Sequence, residues 1–195
     1  MPALPPITQA LLLINVALFA ADLLFGRMLT ALFALWPLGT NFMPWQVVTY
    51  AFLHGSFGHL FFNMLGLWMF GAELERIWGP RRYLQFYFAS VLTAALTQLL
   101  VGLVAGGAPT VGASGGLFGL LLAFGMMFPN RIIMPLFPPI PMKAKTFVMV
   151  FGALELVFGV TGTQSGVAHF AHLGGMLGGF LMIRYWRGQS PFGRR

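Results

Sequence analysis

The chain has 195 residues, of which 58% are hydrophobic and only 8% are charged. A soluble domain does not need so much apolar surface, and one helical span needs only about 20 apolar residues. The apolar segments are continuous rather than alternating, which excludes a transmembrane β-barrel. The absence of cysteine excludes disulfides, thiolate metal sites and a cysteine nucleophile. We therefore expect an all-α polytopic membrane protein that forms one domain over residues 1–195.

Six apolar segments predict six transmembrane helices. They cover about residues 7–25, 58–74, 83–104, 114–128, 146–160 and 167–186. Residues 1–9 contain no Lys or Arg, so the first segment is interpreted as a span and not as a signal peptide. The fourth is too short to cross alone, so residues 105–113 should enter the membrane as irregular backbone, which cannot face lipid. This predicts a water-filled cavity that ends at Ser114.

The basic residues indicate the orientation. Ten of the 11 lie in the loops after the second and fourth segments or near the C-terminal end, and only Arg27 lies in the alternate loops. Because cytoplasmic loops are rich in Lys and Arg, both termini are predicted to be cytoplasmic. The net charge of +7 thus reflects membrane topology, and we expect no nucleic-acid partner. We expect a multi-pass protein of a prokaryotic plasma membrane whose site opens to the outer side.

Polar residues of three segments share one predicted depth. At a rise of 1.5 Å per residue, Ser114, His172 and Asn63 lie roughly 20–22 Å above the inner boundary. In a hydrocarbon core of about 30 Å they therefore lie about 8–10 Å below the outer surface. Ser114 as a nucleophile needs a base, and His172 is the candidate. The alternative is that Ser114 and His172 only pack and bond to the backbone.

Small residues predict that the fourth and sixth segments approach closely. Gly175 and Gly179 follow His172 at helical spacing, and Gly115 and Gly119 are likewise four residues apart. Two such faces would bring the backbones together and allow the serine to hydrogen-bond the histidine.

The second segment offers donors for a developing negative charge. His59 and Asn63 are four residues apart and share a helix face. Together with the free N–H of Ser114 at a helix N-terminus, they suit an oxyanion hole. The alternative for Asn63 is an interhelical hydrogen bond. Phe118, one turn after Ser114, either stacks on His172 or belongs to the core.

The four histidines raise the question of a metal. His169 and His172 are three residues apart, but we expect no carboxylate or cysteine at their level and therefore no metal. Glu155 is predicted near the middle of the membrane as a structural, hydrogen-bonded carboxyl. The alternative is that Glu155 and the histidines relay protons in a small transporter. His54 and His169 receive no role.

Three motifs together resemble the rhomboid intramembrane serine proteases. They are HGSFGHLFFN at 54–63, GASG at 112–115 and AHLGGMLGG at 171–179. The resemblance covers nearly the whole chain and implies a six-helix bundle with a short central fourth helix and an interfacial first loop. It implies Ser114 as nucleophile and His172 as general base, without an acidic third member. Asn63, His59 and the Ser114 N–H would stabilise the oxyanion, with Gly112, Gly115, Phe118, Gly175 and Gly179 supporting the site.

The resemblance also implies the substrate. Members of the family cleave transmembrane proteins near the outer face of their spans, without a cofactor, in contact with membrane lipid. A catalytically silent relative that binds and routes membrane clients would have the same fold, and the intact serine and histidine favour the enzyme. The oligomeric state is not predicted.

The first and fifth loops carry two further expectations. Many members of the family have a Trp-Arg pair in the first loop, whereas Trp36 here precedes Pro37, so the anchoring of this loop is open. The fifth loop, residues 161–166, contains two glycines and is predicted to be a mobile lid over the cavity.

Overall fold

The computed structural model describes residues 3–39, 41–136, 139–162 and 167–189, and most of these are helical. The helices are α1 (Pro6–Leu24), α2 (Met28–Phe33), α3 (Gln46–Thr49), α4 (Phe57–Gly66), α5 (Ala72–Ala105), α6 (Ser114–Met127), α7 (Ala144–Thr161) and α8 (His169–Trp186). A 3-10 turn (Tyr50–Phe52) follows α3, and a π-helical turn (Leu67–Gly71) joins α4 to α5. The two-residue strands β1 (Ile132–Ile133) and β2 (Met142–Lys143) pair antiparallel just before α7.

Three helical stretches within the described ranges are long and apolar enough to cross a membrane. They are α1, the continuous stretch Phe57–Ala105 and α7, while α6 is apolar but shorter. Their outer faces expose large apolar side chains, among them Leu24 at 83% and Val104 at 92%. Such surface suits contact with lipid, as expected for an integral membrane protein.

The connection between the second and third predicted segments is much tighter than the sequence suggested. The segments predicted at 58–74 and 83–104 leave residues 75–82 as a loop. This was wrong, because helix continues on both sides and only Gly79 leaves it, with φ 76° and ψ 165°. Those angles are accessible to glycine and strained for other residues. Pro80 follows, and its fixed φ suits the first turn of a new helical segment. Gly79 therefore divides the 49-residue stretch into two.

The first loop is tied to α1 by an arginine. The Arg27 guanidinium donates to the carbonyls of His54 (3.0 Å) and Gly55 (3.1 Å), just before α4. Asp22 lies 3.4 Å from the same guanidinium and accepts the backbone N–H of Thr30 at 2.9 Å. The loop is thus anchored although it lacks the Trp-Arg pair.

A buried glutamine holds the rest of this loop together. The Gln46 side-chain oxygen accepts the backbone N–H groups of Trp36 and Met43, both at 3.2 Å. Its amide nitrogen donates to the carbonyls of Leu32 and Asn41, also at 3.2 Å. Because Gln46 is only 1% exposed, its side chain is committed to these backbone groups of the loop. The sequence pattern did not single this residue out.

A buried carboxylate closes the N-terminus of α1. Glu75 accepts the backbone N–H of Ile7 at 2.8 Å and both the N–H and the hydroxyl of Thr8 at 2.7 Å. The first N–H groups of a helix have no intrahelical acceptor and carry partial positive charge, so a carboxylate stabilises them. Glu75 therefore joins α1 to the end of the second predicted segment.

We predict that Glu75→Ala lowers the free energy of unfolding by about 1–3 kcal/mol, because buried donors at the start of α1 lose their acceptor. Glu73→Ala is the matched control, since Glu73 pairs with Arg131 at the surface and such pairs contribute about 0–1 kcal/mol. Thermal unfolding of both variants in detergent measures the difference. Equal losses would show that Glu75 does not cap α1.

Candidate active site

The serine and the histidine singled out by the sequence meet across two helices. Ser114 is the first residue of α6, and His172 lies in the first turn of α8. Ser114 Oγ is 2.8 Å from His172 Nε2, a hydrogen-bond distance. His172 is 8% exposed, so this contact is largely shielded. A hydroxyl so close to an unprotonated imidazole nitrogen can pass its proton to that nitrogen.

Glycines on both helices allow this approach. A Cβ added to Gly175 would overlap the carbonyl oxygen of Gly115, and a Cβ added to Gly179 would lie 3.1 Å from the Cα of Gly119. The two small-residue faces therefore pack backbone against backbone, as their spacing predicted. Ser114 precedes one of these glycines, and His172 lies one turn before another.

An aromatic ring orients the histidine. Phe118 stacks on His172 with ring centroids 4.3 Å apart and an interplanar angle of 6°. Phe118 is one turn after Ser114 on α6, so the helix that carries the hydroxyl also fixes the plane of the imidazole. Of the two alternatives that the sequence left open for Phe118, stacking is the one observed.

The loop before Ser114 is irregular, as predicted, and is held by backbone hydrogen bonds. Leu35 and Thr110 exchange two N–H···O bonds of 2.9 Å, and the N–H of Gly112 donates to the carbonyl of Tyr50 at 2.9 Å. Gly112 has φ +132°, a conformation that favours glycine. A Cβ there would lie 2.7 Å from His59 Nε2 and 3.5 Å from Ser114 Oγ. Glycine therefore leaves a small space beside the serine oxygen.

The two polar residues of α4 line the same cavity as the serine. His59 and Asn63 both line the cavity described below, and Asn63 is 4% exposed. The Asn63 amide donates to the backbone carbonyl of His59 at 3.0 Å. This hydrogen bond lies within α4 and does not join two helices. His54, in the loop before α4, packs edge-on against His59, with ring centroids 4.9 Å apart. Burial disfavours the charged imidazole and lowers the pKa of His54 to about 3, and electrostatic repulsion from His59 adds a smaller decrease.

These side chains surround a cavity of about 760 Å³. Its wall combines polar groups with apolar ones, and the irregular loop supplies residues 107–112. The residues central to the site are Tyr50, His59, Asn63, Ser114, Phe118 and His172. The sequence predicted a cavity bounded by this loop and ending at the serine, and the described residues form one.

A carboxylate lies where none was expected. The prediction that no carboxylate shares the level of the histidines was wrong, because Glu155 Oε2 is 2.6 Å from His169 Nδ1 and 2.9 Å from His172 Nδ1. The first contact is a hydrogen bond. The second has the distance of one, but the ring N–H is not aligned with the oxygen, so Nδ1 makes no full hydrogen bond. Counting residues from the membrane boundary misjudged the level of Glu155.

This cluster has the composition of a metal site but the spacing of hydrogen bonds. Glu155, His169 and His172 each offer one ligand atom, and these atoms lie within 4.8 Å of one another. Ligand atoms about 2.0–2.1 Å from a tetrahedral zinc ion would be about 3.3 Å apart. The observed 2.6 and 2.9 Å are shorter, which favours shared protons over a shared ion.

The chain is similar in sequence to known proteins. A family model described as the Rhomboid domain matches residues 41–188, which is most of the chain. The chain belongs to the rhomboid family. The matched region contains the serine, the histidines, the glycine faces and the polar residues of α4.

Rhomboid relatives of the chain come from yeast and bacteria. Rhomboid protein 1, mitochondrial, of Saccharomyces cerevisiae is 34% identical over 70% of this chain and 40% of its own length. Rhomboid protease GluP of Bacillus subtilis is 33% identical over 70% of this chain and 25% of its own. Rhomboid protease GlpG of Yersinia pestis is 28% identical over 93% of this chain and 62% of its own. The chain therefore spans less than two thirds of the length of each of these relatives.

Two features that the sequence predicted for this rhomboid fall partly outside the described residues. Residues 163–166 of the predicted lid are not described, and neither are Arg194 and Arg195 of the C-terminal basic group. Thr161 is the last residue of α7, and Gly162 follows it in the left-handed conformation. The lid remains a prediction.

We predict that Gly175→Ala lowers the free energy of unfolding by about 1–3 kcal/mol, because the added Cβ would overlap the backbone of Gly115 and push α6 away from α8. The contact of Ser114 Oγ with His172 Nε2 should weaken as well, since the two helices would separate. Gly102→Ala is the control, because nothing lies within 4 Å of that position and alanine favours helix by up to about 1 kcal/mol. Thermal unfolding in detergent compares the two, and a Gly175→Ala variant as stable as the control would contradict the packing argument.

Proposed function

We propose that this rhomboid-family protein is an intramembrane serine endopeptidase that cleaves transmembrane proteins in or near their spans. The observation that carries the proposal is the 2.8 Å contact of Ser114 Oγ with His172 Nε2 at the wall of a cavity. Relatives named rhomboid proteases support the same reaction class.

In the first step, Ser114 Oγ attacks the carbonyl carbon of the scissile peptide bond. Its proton passes to His172 Nε2, and the carbonyl oxygen becomes an oxyanion. The imidazolium then donates that proton to the leaving nitrogen, and the C–N bond breaks. This produces an acyl-enzyme on Ser114 and a new amino terminus on the released fragment.

In the second step, a water molecule attacks the acyl carbon. His172 Nε2 takes a proton from the water and returns it to Ser114 Oγ as the ester bond breaks. The product is a new carboxyl terminus, and the serine and neutral histidine are regenerated. Neither step needs a metal or an organic cofactor.

The oxyanion would lie in the space beside Gly112. The position that a Cβ on Gly112 would occupy is 2.7 Å from His59 Nε2 and 3.5 Å from Ser114 Oγ, so an oxygen fits between the two. Donors for it are the His59 ring, the second amide hydrogen of Asn63 and the Ser114 N–H, which begins α6 and has no intrahelical acceptor. Preorganised donors of this kind stabilise the transition state more than the substrate.

The membrane topology belongs to the same proposal. Counting the kink at Gly79 as a boundary, the helical segments support six spans with both termini in the cytoplasm. The site would then open toward the outer side, near the ends of substrate spans, in the plasma membrane of a prokaryote. The alternative of a catalytically silent client-binding protein is disfavoured by the intact pair of Ser114 and His172.

We predict that Ser114→Ala and His172→Ala abolish cleavage of a tagged single-span substrate while both proteins remain folded. A fluorophosphonate probe should label the wild type at Ser114 and neither variant, because labelling needs the activated hydroxyl. Ser90→Ala is the control, since among the described residues the Ser90 hydroxyl donates to the local carbonyl of Phe86 and Ser90 does not line the cavity. Cleavage that persists in Ser114→Ala would refute the assignment.

We predict that Asn63→Ala lowers kcat by about 10²–10³-fold with little change in KM, because a donor to the oxyanion is lost. Asn15→Ala is a matched control. Asn15 is also buried and makes the same type of bond, from its amide to the carbonyl of Leu11 at 2.7 Å, but it does not line the cavity. Kinetics on the single-span substrate measure both, and an equal fall in kcat in both variants would indicate a purely structural role.

A further inference from the structure

The unused nitrogen of His172 faces a carboxylate. His172 Nδ1 is fully buried, and Glu155 Oε2 lies 2.9 Å away across the interface of α7 and α8. Full hydrogen-bond alignment is lacking, but the terminal torsion of a glutamate is broad. Small adjustments of this torsion therefore need no movement of the backbone and leave Oε2 near both histidines.

The tautomer of His172 determines whether Nδ1 can donate to the Glu155 carboxylate. To accept the Ser114 proton, Nε2 must be unprotonated, so the neutral ring must carry its proton on Nδ1. That N–H then lies beside the Glu155 carboxylate, with 2.9 Å between Nδ1 and Oε2. When Nε2 takes up the serine proton, the ring becomes a cation beside the same carboxylate.

Glu155 is itself held in place. Its Oε2 is hydrogen-bonded to His169 Nδ1 at 2.6 Å, and the Glu155 side chain is 13% exposed. His169 also packs edge-on against Phe158 of α7, with ring centroids 5.7 Å apart. The carboxylate thus has a defined position between the two helices instead of pointing freely toward lipid.

The other acidic residues of the chain have structural partners. The sequence contains four Asp and Glu residues in total. Asp22 binds the first loop, Glu73 pairs with Arg131, and Glu75 caps α1. Glu155 differs in that it contacts His169 and also His172, the histidine that lies 2.8 Å from Ser114 Oγ. An ionisable residue inside a span is costly and therefore points to function.

We propose that Glu155 is a positioning residue for His172, so that the serine and histidine act with an acidic third member from α7. Its carboxylate holds the Nδ1–H tautomer and stabilises the imidazolium formed during the reaction, while His169 fixes the carboxylate. Such an arrangement follows the general logic of a base that is oriented by a third group. The inference rests on the proposed serine-protease function and adds a residue to it.

The test compares Glu155→Leu and Glu155→Gln with the control Leu156→Ala, whose side chain is 51% exposed on the same helix. Glu155→Leu should lower kcat by about 10²–10⁴-fold with KM nearly unchanged, because the tautomer is no longer held. Glu155→Gln should lower kcat as well, by up to about 10⁴-fold, because its side-chain NH2 can face Nδ1 and favour the Nε2–H tautomer. Leu156→Ala should keep the wild-type kcat.

A spectroscopic readout separates positioning from a structural role. In protein labelled with ¹⁵N-histidine, ring nitrogen shifts report the tautomer of His172, whose signal is assigned by its absence in His172→Ala. We expect Nδ1–H in the wild type and a gain of Nε2–H in Glu155→Leu at unchanged thermal stability. Lower stability with the wild-type tautomer would overturn the proposal, as would wild-type kcat in Glu155→Leu.

Two further outcomes are distinguishable. If Glu155→Leu does not fold, Glu155→Gln carries the test, and wild-type kcat in that variant overturns the proposal. If the wild type neither cleaves a substrate nor reacts with fluorophosphonate, the serine-protease function fails instead. The tautomer measurement needs no activity, so an Nε2–H tautomer in the wild-type protein would by itself overturn the role of Glu155.

Discussion

The close contact between the backbones of α6 and α8 is the constraint on which the rest of the site depends. Lipid tails are as apolar as the helix surfaces, so helices in a membrane associate through packing rather than through the hydrophobic effect. Gly175 against the carbonyl of Gly115 is the tightest form of that packing. Because Ser114 adjoins one end of this contact and His172 lies one turn from the other, the same contact sets their 2.8 Å separation.

Buried polar side chains hold the remaining segments around this pair. Backbone groups that leave regular helix cannot remain unpaired in an apolar environment, since each unpaired group costs free energy. Gln46 satisfies four such groups in the first loop, and Glu75 satisfies the start of α1. Tyr50, through its carbonyl, holds Gly112 beside the serine. This last bond keeps the irregular loop before Ser114 in place at the cavity.

The helix α7 buries few residues in the core, but it brings a carboxylate to the histidines of α8. Its buried residues are Ala144, Phe147 and Val148, near its N-terminal end. Farther along, Glu155 reaches the two histidines of α8. A peripheral helix can therefore bring a charge to the histidine of the site without being packed deeply itself, and any change in how α7 lies against α8 would alter the surroundings of His172.

The sequence alone determined the features that depend on local pattern. Continuous apolar segments, asymmetric basic loops and glycines at helical spacing indicated a helical membrane protein in which Ser114 and His172 face each other. Only the tertiary structure decided what depends on the rotation and contact of distant segments: the network around Gln46, the kink confined to Gly79 and the carboxylate of Glu155 beside His172. Counting residues along a helix estimates depth, but it does not tell which neighbouring helix a side chain faces. That was decided by the packing of α7 against α8, and for this reason the carboxylate could not be placed from the sequence.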